Sequence, residues 1–283
     1  MKVLGILGYP LGHSISPVIF NTCFKKQDMD YIYLPFQVEP AKLNAAIKGL
    51  NVLGVAGVNV TIPHKISVAK FIDEKDETAM ITGSVNTIKF SEGRAIGYNT
   101  DVGGFLRAWQ EEVREPVEGK TAVILGSGGA ARSIAYALLT RNIGELHFFA
   151  RKTPKANGII EFFSEGFPHT GFYSHRIEDN KAWESLGPGI DIIINATPVG
   201  MYPDIDGIPA VLPDNLRQGW VAYDLVYNPL RTRFLFEAET KRARACGGLG
   251  MLIHQAALSY EIWLGEPAPV SLMKWAAWNA MKG

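Results

Sequence analysis

Two short stretches carry the residue types that chemistry needs. In "NVTIPHK", residues 59–65, an apolar run ends on a threonine, a proline, a histidine and a lysine. A period of two puts Val55, Gly57, Asn59 and Thr61 on one face of this strand and Ala56, Val58, Val60 and Ile62 on the other. One face feeds a core. The other is small and polar and runs out to Lys65, which looks like the floor of a site.

The second stretch is "TAVILGSGGAAR", residues 121–132, a buried strand that enters a glycine turn and then a helix. In a dinucleotide site the first glycine makes the turn, the second admits the pyrophosphate, and a small third residue lets helix and strand pack closely. Gly126, Gly128 and Ala131 fit those roles, with Ser127, Gly129 and Ala130 completing the loop. Unpaired N–H groups and the helix dipole then favour a phosphate at the helix start. Glycines alone would equally make a plain tight turn, but strand before and helix after are what the cofactor fingerprint demands. The next strand, "ELHFFAR", ends about 20 residues on from the glycines, where an NAD site carries an acidic group. Arg151 stands there, with Lys152 and Lys155 close behind. A cation in that place suits a 2′-phosphate, so NADP is the expected cofactor and Arg151 its partner. Lys152 and Lys155, taken singly, are ordinary surface lysines.

Further polar residues punctuate the first third: Ser14 and Ser16 in "GHSISP", Asn86 in "GSVNT" and Asp101 in "GYNTD". Each alone reads as a cap or turn. Ser16 before Pro17 has the form of an N-cap with proline at the first helical position, and Asp101 that of a cap for the helix after it. His13 and His64 are by type more often structural than catalytic.

These residues need a scaffold. At about 150 residues per domain, 283 residues predict two domains. Strand-like "KVLGILG", "YIYLPFQV" and "GVAGVNVTI" alternate with helical stretches near residues 16–27, 40–50 and 64–72, the rhythm of a parallel sheet. "NTIKFSEGRAIGYNTD" reads as a hairpin turned at "SEGR", followed by an amphipathic helix. "REPVEGK", residues 114–120, is the linker candidate. After it the alternation restarts through "DIIINATPVGM" and "WVAYDLVYNP", marking a second α/β domain, and a helical tail from Leu249 must pack back on something.

Composition narrows the partners. Twenty-eight basic and 28 acidic side chains give no net charge, which argues against nucleic acid. No run is long enough to span a membrane, and the opening residues fail as a secretory signal. Cys23 and Cys246 are too few and too far apart for a disulfide scaffold or a zinc site, so a cytoplasmic setting without a metal is expected. Neither has neighbours in sequence that would activate a thiol. The oligomeric state is not legible.

"GHSISP", "NVTIPHK", "GSVNT", "GYNTD", "GSGGAAR", "NATPVGM", "DLVYNP" and "GMLIHQAA" occur in the order and spacing that resembles the shikimate dehydrogenases, over almost the whole chain. The resemblance implies NADPH-dependent, reversible reduction of 3-dehydroshikimate to shikimate in the pathway to chorismate and the aromatic amino acids. It implies a catalytic pair of Lys65 and Asp101. Ser14, Ser16, Asn59, Thr61, Asn86, Tyr227 and Gln255 would hold the substrate. The glycine loop, Arg151, Lys155 and Thr197 would hold NADP, with Met251 beside the nicotinamide. It also implies two α/β domains flanking a cleft: residues 1–101, completed by helices in 249–283, for substrate, and a Rossmann-type domain, residues 102–248, for NADP. The chemistry agrees, since a small polyhydroxy acid needs many neutral donors and acceptors. Hydride arriving at a ketone leaves charge on oxygen, which Lys65 can meet as proton donor or as cation. Two departures stand out. Ala150 and Thr153 in "ARKT" replace and displace parts of the family's asparagine-arginine-threonine, and Ser127 stands where alanine is frequent. Quinate or quinate/shikimate dehydrogenases share the pattern, and a silent NADP-binding regulator on the same fold is the alternative from another class.

Overall fold

The computed structural model describes residues 1–12 and 14–282, so His13 lies outside the described residues. The chain forms two compact α/β units, Met1–Gly104 with Ile253–Gly283, and Phe105–Leu252.

The first unit holds a six-stranded sheet. Its strands are β1 (Lys2–Gly8), β2 (Tyr31–Gln37), β3 (Gly57–Val60), β4 (Glu74–Lys75), β5 (Thr87–Ser91) and β6 (Arg94–Tyr98), in the order β2-β1-β3-β5-β6-β4. β1 pairs in parallel with β2 and β3, while β5 runs antiparallel to β3 and β6. The hairpin turns where expected. Glu92 and Gly93 both have positive φ (52° and 74°), the handedness a two-residue loop needs to match strand twist. Val58 and Val60 point into a core with Leu43, Ile47 and Leu50 of α2 (Leu43–Val52). On the opposite face, Trp263 of α9 (Leu249–Leu264) packs tightly enough on Gly57 that a Cβ there would overlap its ring, and its Nε1 donates to the Ile88 carbonyl at 2.9 Å. Phe20 of α1 (Ser16–Lys26) packs on the same ring and stacks on Tyr33 at 4.4 Å. The tail thus belongs to the first unit from Ile253 onward, through α10 (Val270–Lys282).

The second unit holds six parallel strands: β7 (Thr121–Leu125), β8 (Glu145–Ala150), β9 (Gly171–Arg176), β10 (Ile192–Asn195), β11 (Val221–Asp224) and β12 (Arg244–Cys246). Their order is β12-β11-β10-β7-β8-β9, the doubly wound dinucleotide order, in which chain direction across the sheet reverses between β7 and β10. α5 (Gly129–Leu139) and α6 (Thr153–Ser164) follow β7 and β8.

Three local expectations are corrected. Residues 64–72 make turns and one short 3₁₀ stretch, Val68–Phe71, rather than a helix. The Lys65 carbonyl is taken by the Val85 amide (2.8 Å), and the Ser67 hydroxyl competes for the His64 carbonyl (3.1 Å), so an α ladder does not propagate. Residues 114–120 are not a free linker. Trp109 donates to the Glu115 carbonyl (2.8 Å), Lys120 reaches the Glu115 carboxylate (2.9 Å), and Val117 is buried. β4, β9 and β12 were not foreseen. All three are short or half-exposed sheet edges, where no continuous apolar run is required.

Candidate active site

Lys65 and Asp101 meet. Lys65 Nζ lies 2.5 Å from Asp101 Oδ2, with the lysine side chain 17% exposed and the carboxylate 4%. Asp101 is free for this because it is not the helix cap. α4 (Thr100–Ala108) is capped by Asn99, whose Oδ1 accepts from the amides of Asp101 (3.1 Å) and Val102 (3.4 Å). The Asn99 amide nitrogen in turn donates to Thr82 Oγ1 and the Ser84 carbonyl, both at 2.9 Å, which anchors the helix start to the end of α3 (Glu77–Thr82). Asp101 then sits in the first turn, where the helix dipole favours its charge.

Asn86 is the bridge between Asp101 and the tail helix. Its Nδ2 donates to Asp101 Oδ1 (2.9 Å) and Thr100 Oγ1 (2.8 Å) and lies 3.4 Å from Gln255 Oε1, while its Oδ1 accepts from the Thr100 amide (2.7 Å). Gln255 comes close to the chain at Gly104, where a Cβ would meet its backbone. Ser14 and Ser16 follow the C-terminal end of β1, and Thr61 and Lys65 that of β3. The two strands are adjacent and parallel, so the segments carrying these residues leave from one edge of the sheet, the carboxyl edge where open α/β sheets take ligands. Thr61 packs so closely on Gly8 that no Cβ fits there. Ser16 is not an N-cap but the first helical residue, and its amide donates to the Ser14 hydroxyl (3.4 Å). Asn59 is buried, with both ends of its amide engaged by the protein: Oδ1 accepts from the Tyr33 hydroxyl (2.7 Å), and Nδ2 donates to Ser259 Oγ (2.8 Å) and Thr87 Oγ1 (3.0 Å).

In the second unit Gly126 has φ +108°, a conformation side chains rarely adopt, and a Cβ there would press on Thr197 Cγ2 at 3.0 Å. Gly128 stands at the N-cap of α5 and supplies no side-chain cap, and a Cβ on it would meet open space. Ala131 is fully buried in the helix–strand contact. Bare helix-start amides, an open backbone and tight packing behind suit a pyrophosphate, so the residues fit a dinucleotide. Arg151, Lys152 and Lys155 lie exposed just past β8. Thr197 follows β10 at the point of strand-order reversal. Its amide (3.0 Å) and hydroxyl (2.7 Å) both donate to Asn195 Oδ1, and Asn195 Nδ2 donates to Asp224 Oδ1 (2.9 Å). Burial pushes the Asp224 carboxyl up to about 6. Tyr227 is partly buried three residues after β11, and Met251 is buried in the first turn of α9. Sequence reasoning missed Asn99, Asn195, Asp224 and Ser259. Only Asn99, an asparagine two places before Asp101 at a helix start, left a readable cap signal.

Among the described residues no cluster of His, Cys, Asp and Glu is placed to hold a metal ion, and no helix is long and apolar enough to cross a membrane. Burial pushes both free thiols, Cys23 and Cys246, up to about 11, away from nucleophilic use.

Known proteins share this arrangement. A family model of the shikimate dehydrogenase substrate-binding domain matches residues 6–88, and one of the shikimate 5′-dehydrogenase C-terminal domain matches residues 248–277. A shikimate dehydrogenase (NADP(+)) of Methanopyrus kandleri is 42% identical over 274 residues, covering 96% of this chain and 93% of the relative. The crystal structure of a shikimate dehydrogenase in complex with NADP+ superposes with a TM-score of 0.89 at 41% identity, covering 99% of this chain and 96% of the other. That of Thermus thermophilus, in complex with NADP(H) and shikimate, gives 0.84 at 33% identity over 99% and 100%. With a lysine held by a buried aspartate in one unit, a doubly wound nucleotide fold in the other and this likeness along its whole length, the chain belongs to the shikimate dehydrogenase family.

Proposed function

We propose that the chain catalyses the reversible, NADPH-dependent reduction of 3-dehydroshikimate to shikimate, on the way to chorismate and the aromatic amino acids, in the cytoplasm. The observation that carries this is the 2.5 Å contact between Lys65 and Asp101, a cation held by a buried carboxylate at the ligand edge of the first unit. When bound, NADPH supplies the hydride. Lys65 Nζ meets the negative charge that develops on the substrate oxygen and holds the proton that oxygen takes up. Asp101 fixes the ammonium in place, and Asn86 fixes Asp101. In the oxidative direction the same pair receives the hydroxyl proton.

The neutral groups at this edge, Ser14, Ser16, Thr61, Asn86 and Gln255, hold the carboxylate and hydroxyls of the substrate. Residues 1–101 and the tail from 249 make up the substrate domain in this reading, and residues 102–248 the nucleotide domain. The backbone from Gly126 to Ala131 takes the pyrophosphate, Arg151 and Lys155 the 2′-phosphate, and Thr197 and Met251 the nicotinamide half. The test is steady-state turnover with shikimate and with quinate, each with NADP+ and NAD+. The highest kcat/KM is expected for shikimate with NADP+. Preference for quinate, or NADP+ binding without turnover, would overturn the proposal.

A further inference from the structure

A buried knot of hydroxyls sits behind the residues already assigned, and its centre is Ser259. This side chain is fully buried on α9, one turn after Gln255. Its Oγ lies 2.8 Å from Asn59 Nδ2, 2.8 Å from Thr87 Oγ1, 3.3 Å from Thr100 Oγ1 and 3.0 Å from the Gln255 carbonyl. Those four partners come from β3, β5, the first residue of α4 and the previous turn of α9. Thr87 Oγ1 reaches Asn59 Nδ2 (3.0 Å) and Asn86 Oδ1 (3.3 Å), and Thr100 Oγ1 accepts from Asn86 Nδ2 (2.8 Å).

Counting donors shows what the knot requires. The Asn59 amide has two N–H groups and three acceptors in reach, Ser259 Oγ (2.8 Å), Thr87 Oγ1 (3.0 Å) and the Asn86 carbonyl (3.3 Å), of which the two hydroxyls are the nearer. Each hydroxyl then has one proton left. Those two protons have three acceptors in reach: the Gln255 carbonyl from Ser259 (3.0 Å), Asn86 Oδ1 from Thr87 (3.3 Å) and, across the 2.8 Å contact between the two hydroxyls, whichever oxygen the other donates to. A serine in a helix commonly returns its proton to the carbonyl one turn back and does nothing more. Here the same oxygen also takes a bond from β3, so the turn carrying Gln255 is tied to the strand carrying Asn59 and, through Thr100 and Asn86, to Asp101.

We infer that Ser259, with Thr87 and Asn59, is a positioning residue that holds Gln255, Asn86 and Asp101 in register for the substrate, and that Asn59 acts through this knot rather than by touching the substrate. The inference rests on the proposed function.

Its test compares Ser259→Ala, Thr87→Val and Thr87→Ser with the unaltered protein in shikimate oxidation by NADP+. Loss of one neutral bond in such a network should raise KM for shikimate by about three- to tenfold in Ser259→Ala and Thr87→Val. KM for NADP+ should stay within about twofold. Thr87→Ser, which keeps the hydroxyl, should return KM for shikimate to near the unaltered value. A merely structural role would lower the active fraction, and hence apparent kcat, with both KM values unmoved; that result would overturn the inference. If Ser259→Ala does not fold, the Thr87 pair decides in the same way. Absence of turnover in the unaltered protein would instead sink the functional proposal itself.

Discussion

The two units build their sites from different materials. In the first, the site is made of side chains: Lys65, Asp101 and Asn86 are each oriented by another side chain, which is oriented by a further one such as Asn99 or Thr100. In the second, the phosphate-binding part is made of backbone: a positive-φ glycine, an uncapped helix start and a buried alanine behind them. A side-chain site fails by losing one named group, whereas a backbone site fails by losing its conformation. The first should therefore show large, non-additive effects on chemistry. Single side-chain changes in the second should produce graded effects on affinity.

Lys65→Ala should break the first site most. Turnover should fall by roughly 100- to 10,000-fold, the range for a positioned acid or base, while KM for shikimate changes much less because the neutral groups remain. Steady-state kinetics with NADPH binding measured separately checks this. Near-normal turnover in a folded variant would remove Lys65 from the chemistry.

Arg151→Ala should produce the graded effect. A charged hydrogen bond contributes about 1.5–3 kcal/mol, so apparent affinity for NADPH should drop roughly 10- to 150-fold and that for NADH should barely move. Equal losses with both cofactors would make Arg151 structural.

A smaller effect is a pH dependence within the second unit. Asp224 keeps its proton up to about 6 in the folded chain, above the ordinary 3.8, because burial outweighs its bonds from Thr232, Val226 and Asn195. A raised carboxyl pKa gives stability that is full below about 3.8 and lost as pH rises through about 6. His147 has the opposite sign. Burial lowers it from the ordinary 6.5, so its stability is present above 6.5 and lost as pH falls. Relative to the unaltered protein, Asp224→Asn should therefore gain on the order of 1–2 kcal/mol between pH 4 and 7, read by urea unfolding. A pH-independent difference would show that Asp224 is ionised throughout.

The contrast also explains what the sequence disclosed. Backbone sites are legible because glycine is favoured at positive φ, so Gly126 announced itself, as did Gly93 in the hairpin. The strands buried at sheet centres were legible from continuous apolar runs such as "TAVIL" and "DIIIN", whereas β4, β9 and β12 at the edges lacked them. Residues 64–72 misled because apolar spacing does not reveal that the Val85 amide claims the Lys65 carbonyl. Side-chain networks were the least legible part. Asp101 read equally as a cap, a part that Asn99 plays, and Ser259 gave no sign at all, since its side-chain partners lie 159 to 200 residues away in the chain.

The claim that the first site works as one unit is tested most directly by kcat for Lys65→Ala, Asp101→Asn and the double variant, measured with shikimate and NADP+. The 2.5 Å pair predicts that Asp101→Asn shares part of the loss and that the double variant is within about threefold of Lys65→Ala alone. Losses that multiply in the double variant would mean that the two side chains act independently, and would contradict the account.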